Sequence, residues 1–252
     1  MAQPQHTPSL AHLEVALTVL FCLIDDAYAH LNPHGARHYE SIKRLSDSEV
    51  ITLALFQQLR GVESERSFLR DAERFFSHLF PGGSKAPPFL LQPAGFAGAA
   101  WVRWGSFSVY GVKLHLICAT NRVPLSYELT PANVAEVDLS KELLAEAELG
   151  EEVARRLLGD LAYQSRELEG DLAESGIALV TSEASARRPG VRQQIEICFS
   201  SLKRVFRLGE TLATTLVGLA TRIAAKMTAY TYAFLINRML GRPQGKIKES
   251  WA

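Results

Sequence analysis

The feature that most constrains the fold is a change of hydrophobic pattern along the chain. Residues 9–80 repeat apolar side chains at helical spacing, whereas YGVKLHLICA, which starts at Tyr110, alternates apolar and polar side chains. Beyond that stretch, helix-like and strand-like segments follow one another to about residue 181. This order predicts an α/β domain preceded by an N-terminal helical region.

Local signals place the individual elements. The stretch LSDSEVITLALFQQLRG begins with a capping box formed by Ser46 and Glu49 and reaches a natural stop at Gly61. The strands YGVKLHLICA and PLSYELTPA flank the turn TNRV and therefore predict a hairpin. Further along, the sequence predicts a helix at VDLSKELLAEAEL, a strand at RRLLGDLAY, a helix ending at Gly176, a strand at IALVTS, and long helices from Val191 to Leu240.

Residues 81–107, between the two patterns, are rich in Gly, Pro and Ala and have no clear periodicity. They predict a linker or irregular structure. We therefore expect four parts: a helical domain at 1–80, an irregular segment at 81–107, the α/β domain at 108–242 and a loose polar tail at 243–252. The C-terminal helix is expected to pack on the sheet with its basic residues, Arg222, Lys226 and Arg238, facing outward.

Composition limits the class of protein. The 252 residues are 47% hydrophobic and 21% charged, which is typical of a soluble globular chain. The most apolar run, Val15 to Ile24, is too short for a membrane span, which needs roughly 20 residues. The first residues lack a signal-peptide pattern, and the three cysteines are far apart, as in a reducing compartment. These features predict a cytoplasmic protein without membrane attachment.

Charge is distributed unevenly, although the net charge is zero. Residues 187–252 contain twelve Lys or Arg and three Glu, a local net charge of +9, so the remainder of the chain carries −9. A basic C-terminal quarter indicates a surface for a polyanion. Solvated helix faces explain the same charges equally well.

Two features could carry chemistry. Asp160 follows a predicted strand, at the edge where open α/β sheets bind ligands, although a helix or turn cap is the other interpretation. Arg192, Glu196 and Lys203 fall at about 0°, 40° and 20° on one face of a predicted helix. A surface row of ion pairs fits this spacing as well. The apolar face of the same helix consists of Ile195, Phe199, Leu202 and Phe206.

Several stretches resemble bacterial insertion-sequence transposases of the DDE type, which have a ribonuclease-H-like catalytic domain. They are LSDSEVITLALFQQLRGVESERSFLR, YGVKLHL, ELTPANVAEVD, LLGDLAYQS and RQQIEICFSSLKRVFRL. The spacing Arg-x3-Glu-x6-Lys resembles the signature around the catalytic glutamate of this class. Pro189 departs from that signature, which has a tyrosine at this place. The resemblance implies a ribonuclease-H-like mixed sheet flanked by helices.

The resemblance also implies residue roles. Three carboxylates would hold two Mg²⁺ (or Mn²⁺) ions for phosphodiester cleavage and strand transfer, with Asp160 as the second acid and Glu196 as the third. Four cationic residues would contact DNA: Arg192, Lys203, Arg204 and Arg207. The implied partners are double-stranded DNA, as transposon ends and target DNA, and further copies of the chain on that DNA. A DNA-bound form would be associated with the nucleoid.

The first acid of this set is missing. Residues 74–127 contain no Asp or Glu, and residues 81–107 occupy the place of the first strand. Glu128 lies on the wrong strand, Asp138 is better explained as a helix cap, and His115 as a structural residue. We infer a degenerate first strand, produced by a deletion or a frameshift, with weak metal binding and very low turnover. The alternatives are a catalytically dead DNA-binding remnant and a Mg²⁺-dependent nuclease of the same fold.

Overall fold

The computed structural model describes residues 9–32, 45–80, 100–104, 107–135, 142–144, 156–159, 163–181 and 189–247. The chain forms two compact units. We call the first the helical unit; it comprises Met1–Gln92, Leu202–Leu212 and Thr221–Ala252. We call the second the sheet unit; it comprises Pro93–Ser201 and Ala213–Ala220. The predicted domain boundaries, 1–80, 81–107, 108–242 and 243–252, stay predictions.

Six helices are described, α1 (Leu10–Leu31), α2 (Asp47–Leu59), α3 (Glu65–Phe76), α4 (Arg166–Glu174), α5 (Pro189–Arg204) and α6 (Leu216–Met239). Five strands are described, β1 (Ala100–Trp104), β2 (Phe107–Cys118), β3 (Pro124–Pro131), β4 (Arg156–Leu158) and β5 (Ala178–Val180). Among the described residues, no helix combines the length and the apolar character that crossing a membrane requires.

The helical unit begins with three capped helices. Ser46 accepts a hydrogen bond from the backbone N–H of Glu49, and the Glu49 carboxylate accepts one from the backbone N–H of Ser46, so the predicted capping box is confirmed. The core between α2 and α3 is aromatic. The Phe56 ring lies edge-on to Phe68 and Phe76, with centroids 6.1 and 5.5 Å apart.

The buried ammonium of Lys226 joins three parts of the helical unit. Lys226 lies on α6 and is only 8% exposed. Its Nζ donates to the Gln58 side-chain oxygen on α2 at 3.0 Å and to the backbone carbonyl of Phe206, beyond the end of α5. The expectation that the basic residues of α6 face outward is therefore wrong for Lys226. Most of α6, from Thr221 onward, belongs to the helical unit.

The end of α6 also anchors the beginning of the tail. Asn237 is fully buried, and its side-chain amide donates to the carbonyls of Gln244 at 3.3 Å and Lys246 at 3.5 Å. Ile247 is buried as well. The predicted loose tail is therefore wrong for residues 243–247, because a buried amide needs acceptors and these backbone carbonyls supply them. Residues 248–252 lie outside the described part of the chain.

The sheet unit contains an antiparallel β1–β2–β3 sheet and a parallel β4–β5 pair. The predicted β2–β3 hairpin is confirmed, and Arg122 in its turn has a left-handed backbone with φ +75°. Helix α4 connects the parallel strands and ends before Gly176, whose φ is +72°. The mixed α/β class is thus confirmed, whereas the ribonuclease-H-like arrangement stays a prediction. Of the helix predicted at VDLSKELLAEAEL, only residues 142–144 are described, and they are helical.

Strand β1 corrects the expectation that residues 81–107 are irregular. Residues 100–104 pair with β2 in antiparallel register, from Ala100 opposite Gly111 to Trp104 opposite Phe107. The sequence AWVRW is rich in β-forming aromatic and branched residues, and it is joined to β2 by Gly-Ser, a pair typical of two-residue hairpins. The Gly/Pro/Ala composition of the wider segment hid this signal. Residues 81–99 and 105–106 lie outside the described part.

We expect Ser46→Ala to lower the free energy of unfolding by about 1 kcal/mol, because the first turn of α2 loses the acceptor in its capping box. Urea unfolding followed by circular dichroism measures the change. Ser77→Ala, at the exposed C-cap of α3, is the matched control and is expected to have a much smaller effect. Equal losses in the two variants would contradict the importance of the capping box.

Lys226 predicts a pH dependence of stability. Burial, followed by the nearby Arg222 and Arg207, lowers the pKa of Lys226 from 10.5 to about 8, against a smaller opposing effect of Glu210. Between these two values the unfolded chain holds a proton that the folded chain has lost. The free energy of unfolding contributed by this group therefore rises with pH across that window, by up to roughly 3 kcal/mol.

The difference in unfolding free energy between the wild type and Lys226→Met isolates this contribution. We expect the difference to grow in favour of the wild type from pH 8 to pH 10.5 in urea titrations. Lys203→Met, which removes an exposed lysine of α5, is the control. A flat difference for Lys226→Met across the window would contradict the lowered pKa.

Candidate functional site

The parallel pair β4–β5 leads directly to the first predicted site residue. Strand β4 ends at Leu158, and the backbone N–H of Gly159 still donates to the carbonyl of Val180 at 3.2 Å. The next residue in the chain is Asp160, which itself lies outside the described residues. By chain position, this aspartate follows the carboxyl end of a parallel strand, the edge at which α/β sheets bind ligands.

Gly159 allows a close contact at this strand end. A Cβ on residue 159 would lie 3.0 Å from the Tyr163 Cβ and 3.1–3.2 Å from its ring carbons. Since these distances are tighter than most Cβ contacts, a side chain at residue 159 would require Tyr163 to shift by a few tenths of an ångström. This contact was not predicted from the sequence, where its signal was a glycine placed between an apolar strand and Asp160.

Helix α5 displays the second predicted carboxylate. Glu196 is exposed, whereas Cys198 and Leu202 on the same helix are fully buried. The predicted apolar face is confirmed at Leu202 and Phe206, which are buried, and is half-buried at Ile195 and Phe199. Glu196 thus faces away from the apolar side of its helix, where a ligand could reach it.

The predicted cationic residues differ in their surroundings. Lys203 and Arg204 are exposed at the C-terminal end of α5. Arg207 lies beyond the helix and forms an ion pair with Glu63, and its guanidinium is 3.9 Å from the Glu210 carboxylate. Arg192 lies within α5, but its side chain lies outside the described part of the structure. The structure therefore supports accessibility for Lys203 and Arg204 and an existing partner for Arg207.

In the antiparallel sheet, the described strands β1 and β2 carry no acidic residue, and Glu128 lies on β3, opposite His115. Strand β1 has no Asp or Glu, and its Arg103 is exposed. His115 on β2 is 3% exposed, and its Nε2 is 2.9 Å from the Thr130 hydroxyl on β3. The neighbouring Lys113 donates to the Val134 carbonyl at 3.1 Å. These contacts fit the predicted structural role of His115, since a buried imidazole needs a hydrogen-bond partner.

The described residues do not fit a pair of divalent cations. Within the described ranges, no group of three or more His, Cys, Asp or Glu side chains lies close enough together to hold a metal ion. The sequence supplies two candidate carboxylates, Asp160 and Glu196, and a third is missing from residues 74–127. Carboxylates crowded at one site need cation charge to stay ionised, and a cation needs several of them to be held firmly.

Comparison with known proteins gives one positive finding. The transposase DDE domain family matches residues 83–232, more than half of the chain, including β1 to β5, α4, α5 and most of α6. Searches of the curated proteins and of the solved structures return no match. The family match confirms the resemblance seen in the sequence: this chain belongs to the transposase DDE domain family.

Proposed function

We propose that the protein binds the ends of an insertion element as double-stranded DNA and descends from an enzyme that cleaves and joins those ends. The family match carries this proposal, since DDE transposases are nucleases and strand transferases that act on DNA. The exposed position of Glu196 on α5, beside buried Cys198 and Leu202, supports it because a catalytic carboxylate must reach its substrate.

In this proposal, four cationic residues hold DNA phosphates, namely Arg192, Lys203, Arg204 and Arg207. The exposure of Lys203 and Arg204 supports the assignment. Guanidinium and ammonium groups bind phosphate oxygens by charge-assisted hydrogen bonds, which position the protein on the duplex without reading its sequence. The net charge of +9 in residues 187–252 adds an attractive field of longer range.

We further propose that strand cleavage by this chain is very slow. The family uses a divalent metal, Mg²⁺ or Mn²⁺, but Asp160 and Glu196 make up only two of the three required carboxylates, and β1 supplies no third. For this reason a DNA-binding remnant is the second candidate function, and the acid-free stretch 74–127 favours it. Association of several copies on DNA and a location at the nucleoid in the cytoplasm belong to the same proposal.

The test uses a tiled set of duplexes from the DNA on either side of the gene, with a shuffled duplex of equal length. Electrophoretic mobility measures binding, and strand cleavage is followed in Mg²⁺ and in Mn²⁺. We expect one tile from each side to bind more tightly than the shuffled duplex. We expect cleavage close to background in the wild type, Asp160→Ala and Glu196→Ala alike.

Two results would count against parts of this proposal. Metal-dependent cleavage that Asp160→Ala abolishes would show that the copy is active and refute the loss of turnover. Equal binding or cutting of all duplexes would refute recognition of element ends, and cutting without preference would indicate a nuclease instead.

Arg204→Gln is expected to weaken binding of all duplexes to a similar degree and to lower the slope of log Kd against log salt by about 1, because one phosphate contact is lost. Fluorescence anisotropy across a salt series measures the slope. Arg166→Gln, an exposed arginine of α4, is the matched control. An unchanged slope for Arg204→Gln would remove Arg204 from the proposed set.

A further inference from the structure

The helical unit contains a pocket lined by three cationic side chains and by three glutamates, Glu63, Glu65 and Glu210. Its empty space is about 470 Å³, which includes space open to solvent. Its walls come from the end of α2, residues 61–65, residues 205–212 and the first half of α6. Gln57 shapes one wall, because its side-chain amide donates to the Val62 carbonyl at 2.9 Å. The three cations are Arg207, Arg222 and Lys226. Only Arg207 was predicted from the sequence to bind a ligand.

Lys226 is the most buried of these three cationic residues. Gln58 and the Phe206 carbonyl accept two hydrogen bonds from its ammonium, which has three N–H groups. Within the described part of the chain, these two acceptors are the ones that Lys226 contacts. An ammonium that is 8% exposed and lines an open pocket retains one N–H for a ligand.

The two arginines of the pocket lining have acidic partners, and Arg207 forms its ion pair with Glu63. Arg222 donates to the Thr211 carbonyl at 2.6 Å, and its Nη2 is 3.6 Å from the Glu65 carboxylate. The Glu65 side chain is 61% exposed, and the Glu210 side chain near Arg207 is 69% exposed. Exposed ion pairs of this kind contribute little to stability, so a stronger anion can displace the glutamates.

Two arginines act on the Lys226 ammonium at the pocket. Besides burial, Arg222 and Arg207 lower the pKa of Lys226 to about 8, and Glu210 only partly opposes them. The surrounding charges therefore repel a proton at the Lys226 amine. A negatively charged ligand in the pocket would relieve this repulsion and interact with all three cations.

We propose that this pocket binds a phosphate group of the DNA backbone, with Arg207, Arg222 and Lys226 as its contacts. The inference rests on the proposed function, since it takes DNA as the ligand. Guanidinium groups bind phosphate oxygens through paired N–H donors, and the ammonium adds a point charge. Lys203 and Arg204 are exposed just before residues 205–212, so a bound duplex would meet further cations along the same stretch of chain.

The first test removes the acidic side chain of Glu65 and measures whether the protein binds a DNA duplex more tightly. We expect Glu65→Gln to lower the Kd for a fluorescein-labelled duplex by about threefold, because Glu65 competes with phosphate for Arg222. Glu73→Gln removes the same charge from the same helix without touching the pocket and is expected to change the Kd much less. Circular-dichroism melting of both variants shows whether each is folded, which separates tighter binding by the pocket from binding by an unfolded basic chain.

A second pair removes a cation. Arg222→Gln should lower the salt slope of log Kd by about 1, whereas Arg238→Gln, an exposed arginine on the same helix, should lower it by clearly less. Circular-dichroism melting of each variant confirms that it is folded. Lys226→Gln is expected to act like Arg222→Gln if it melts as a folded protein.

The outcomes separate the pocket from the proposed function. If the wild type binds no duplex at any salt concentration, both proposals fail. If it binds but each variant behaves like its matched control, the pocket proposal alone is overturned. Inorganic phosphate, compared with chloride at equal ionic strength, is the third probe. A rise in the Tm of the wild type with phosphate, combined with no difference between the DNA-binding pairs, would indicate a site for free phosphate and would overturn the DNA assignment.

Discussion

The packing of the helical unit depends on the hydrogen bonds that the buried ammonium of Lys226 donates. A buried charge is expensive unless hydrogen-bond partners surround it, and Lys226 finds them on two segments that are far apart in sequence, at Gln58 and at the Phe206 carbonyl. This one group therefore fixes α6 relative to the end of α2 and to residues 205–212. Aromatic contacts reinforce the same place, since the Phe206 and Tyr230 rings lie 5.8 Å apart. A pocket with charged walls is the geometric result.

The sheet unit carries the two acids that we propose as catalytic, Asp160 and Glu196. Asp160 follows strand β4, which pairs with β5. On α5, Glu196 is exposed, whereas Cys198 and Leu202 are buried. Strand β1 is paired along the edge of β2 but supplies an arginine rather than a carboxylate. Strand β1 therefore pairs with β2 without a carboxylate, since packing and hydrogen bonding in a sheet do not require one.

The elements that could be predicted from the sequence are those with local causes. The capping box at Ser46 and the alternating strands of the hairpin each depend on neighbouring residues, and all of them are present. Strand β1 was missed because its signal, five residues followed by the sequence Gly-Ser, is short and lies in a Gly/Pro/Ala-rich context. The burial of Lys226 was missed for a different reason. From helical periodicity, a lysine is predicted to lie on the surface. Its hydrogen-bond acceptors, the Phe206 carbonyl and Gln58, lie 20 and 168 residues away in the sequence, so the residues next to Lys226 do not indicate its burial.

Within the candidate site, residue types were easier to predict than surroundings. The exposure of Glu196 and Lys203 follows from their place on one face of an amphipathic helix. The contact between Gly159 and Tyr163 and the pairing of Arg207 with Glu63 depend on tertiary packing. Neither contact can be predicted from residue spacing along one helix, since the two partners lie on separate segments.

At Arg207, the backbone conformation and the interactions of the side chain favour different residues. Its backbone has φ +49°, a left-handed conformation that glycine adopts freely and that costs a side-chain-bearing residue about 1 kcal/mol. Glycine at this position would relax the backbone but would remove the guanidinium that pairs with Glu63. Stabilising design that follows backbone preference at residue 207 would therefore also remove a cation that we propose binds phosphate.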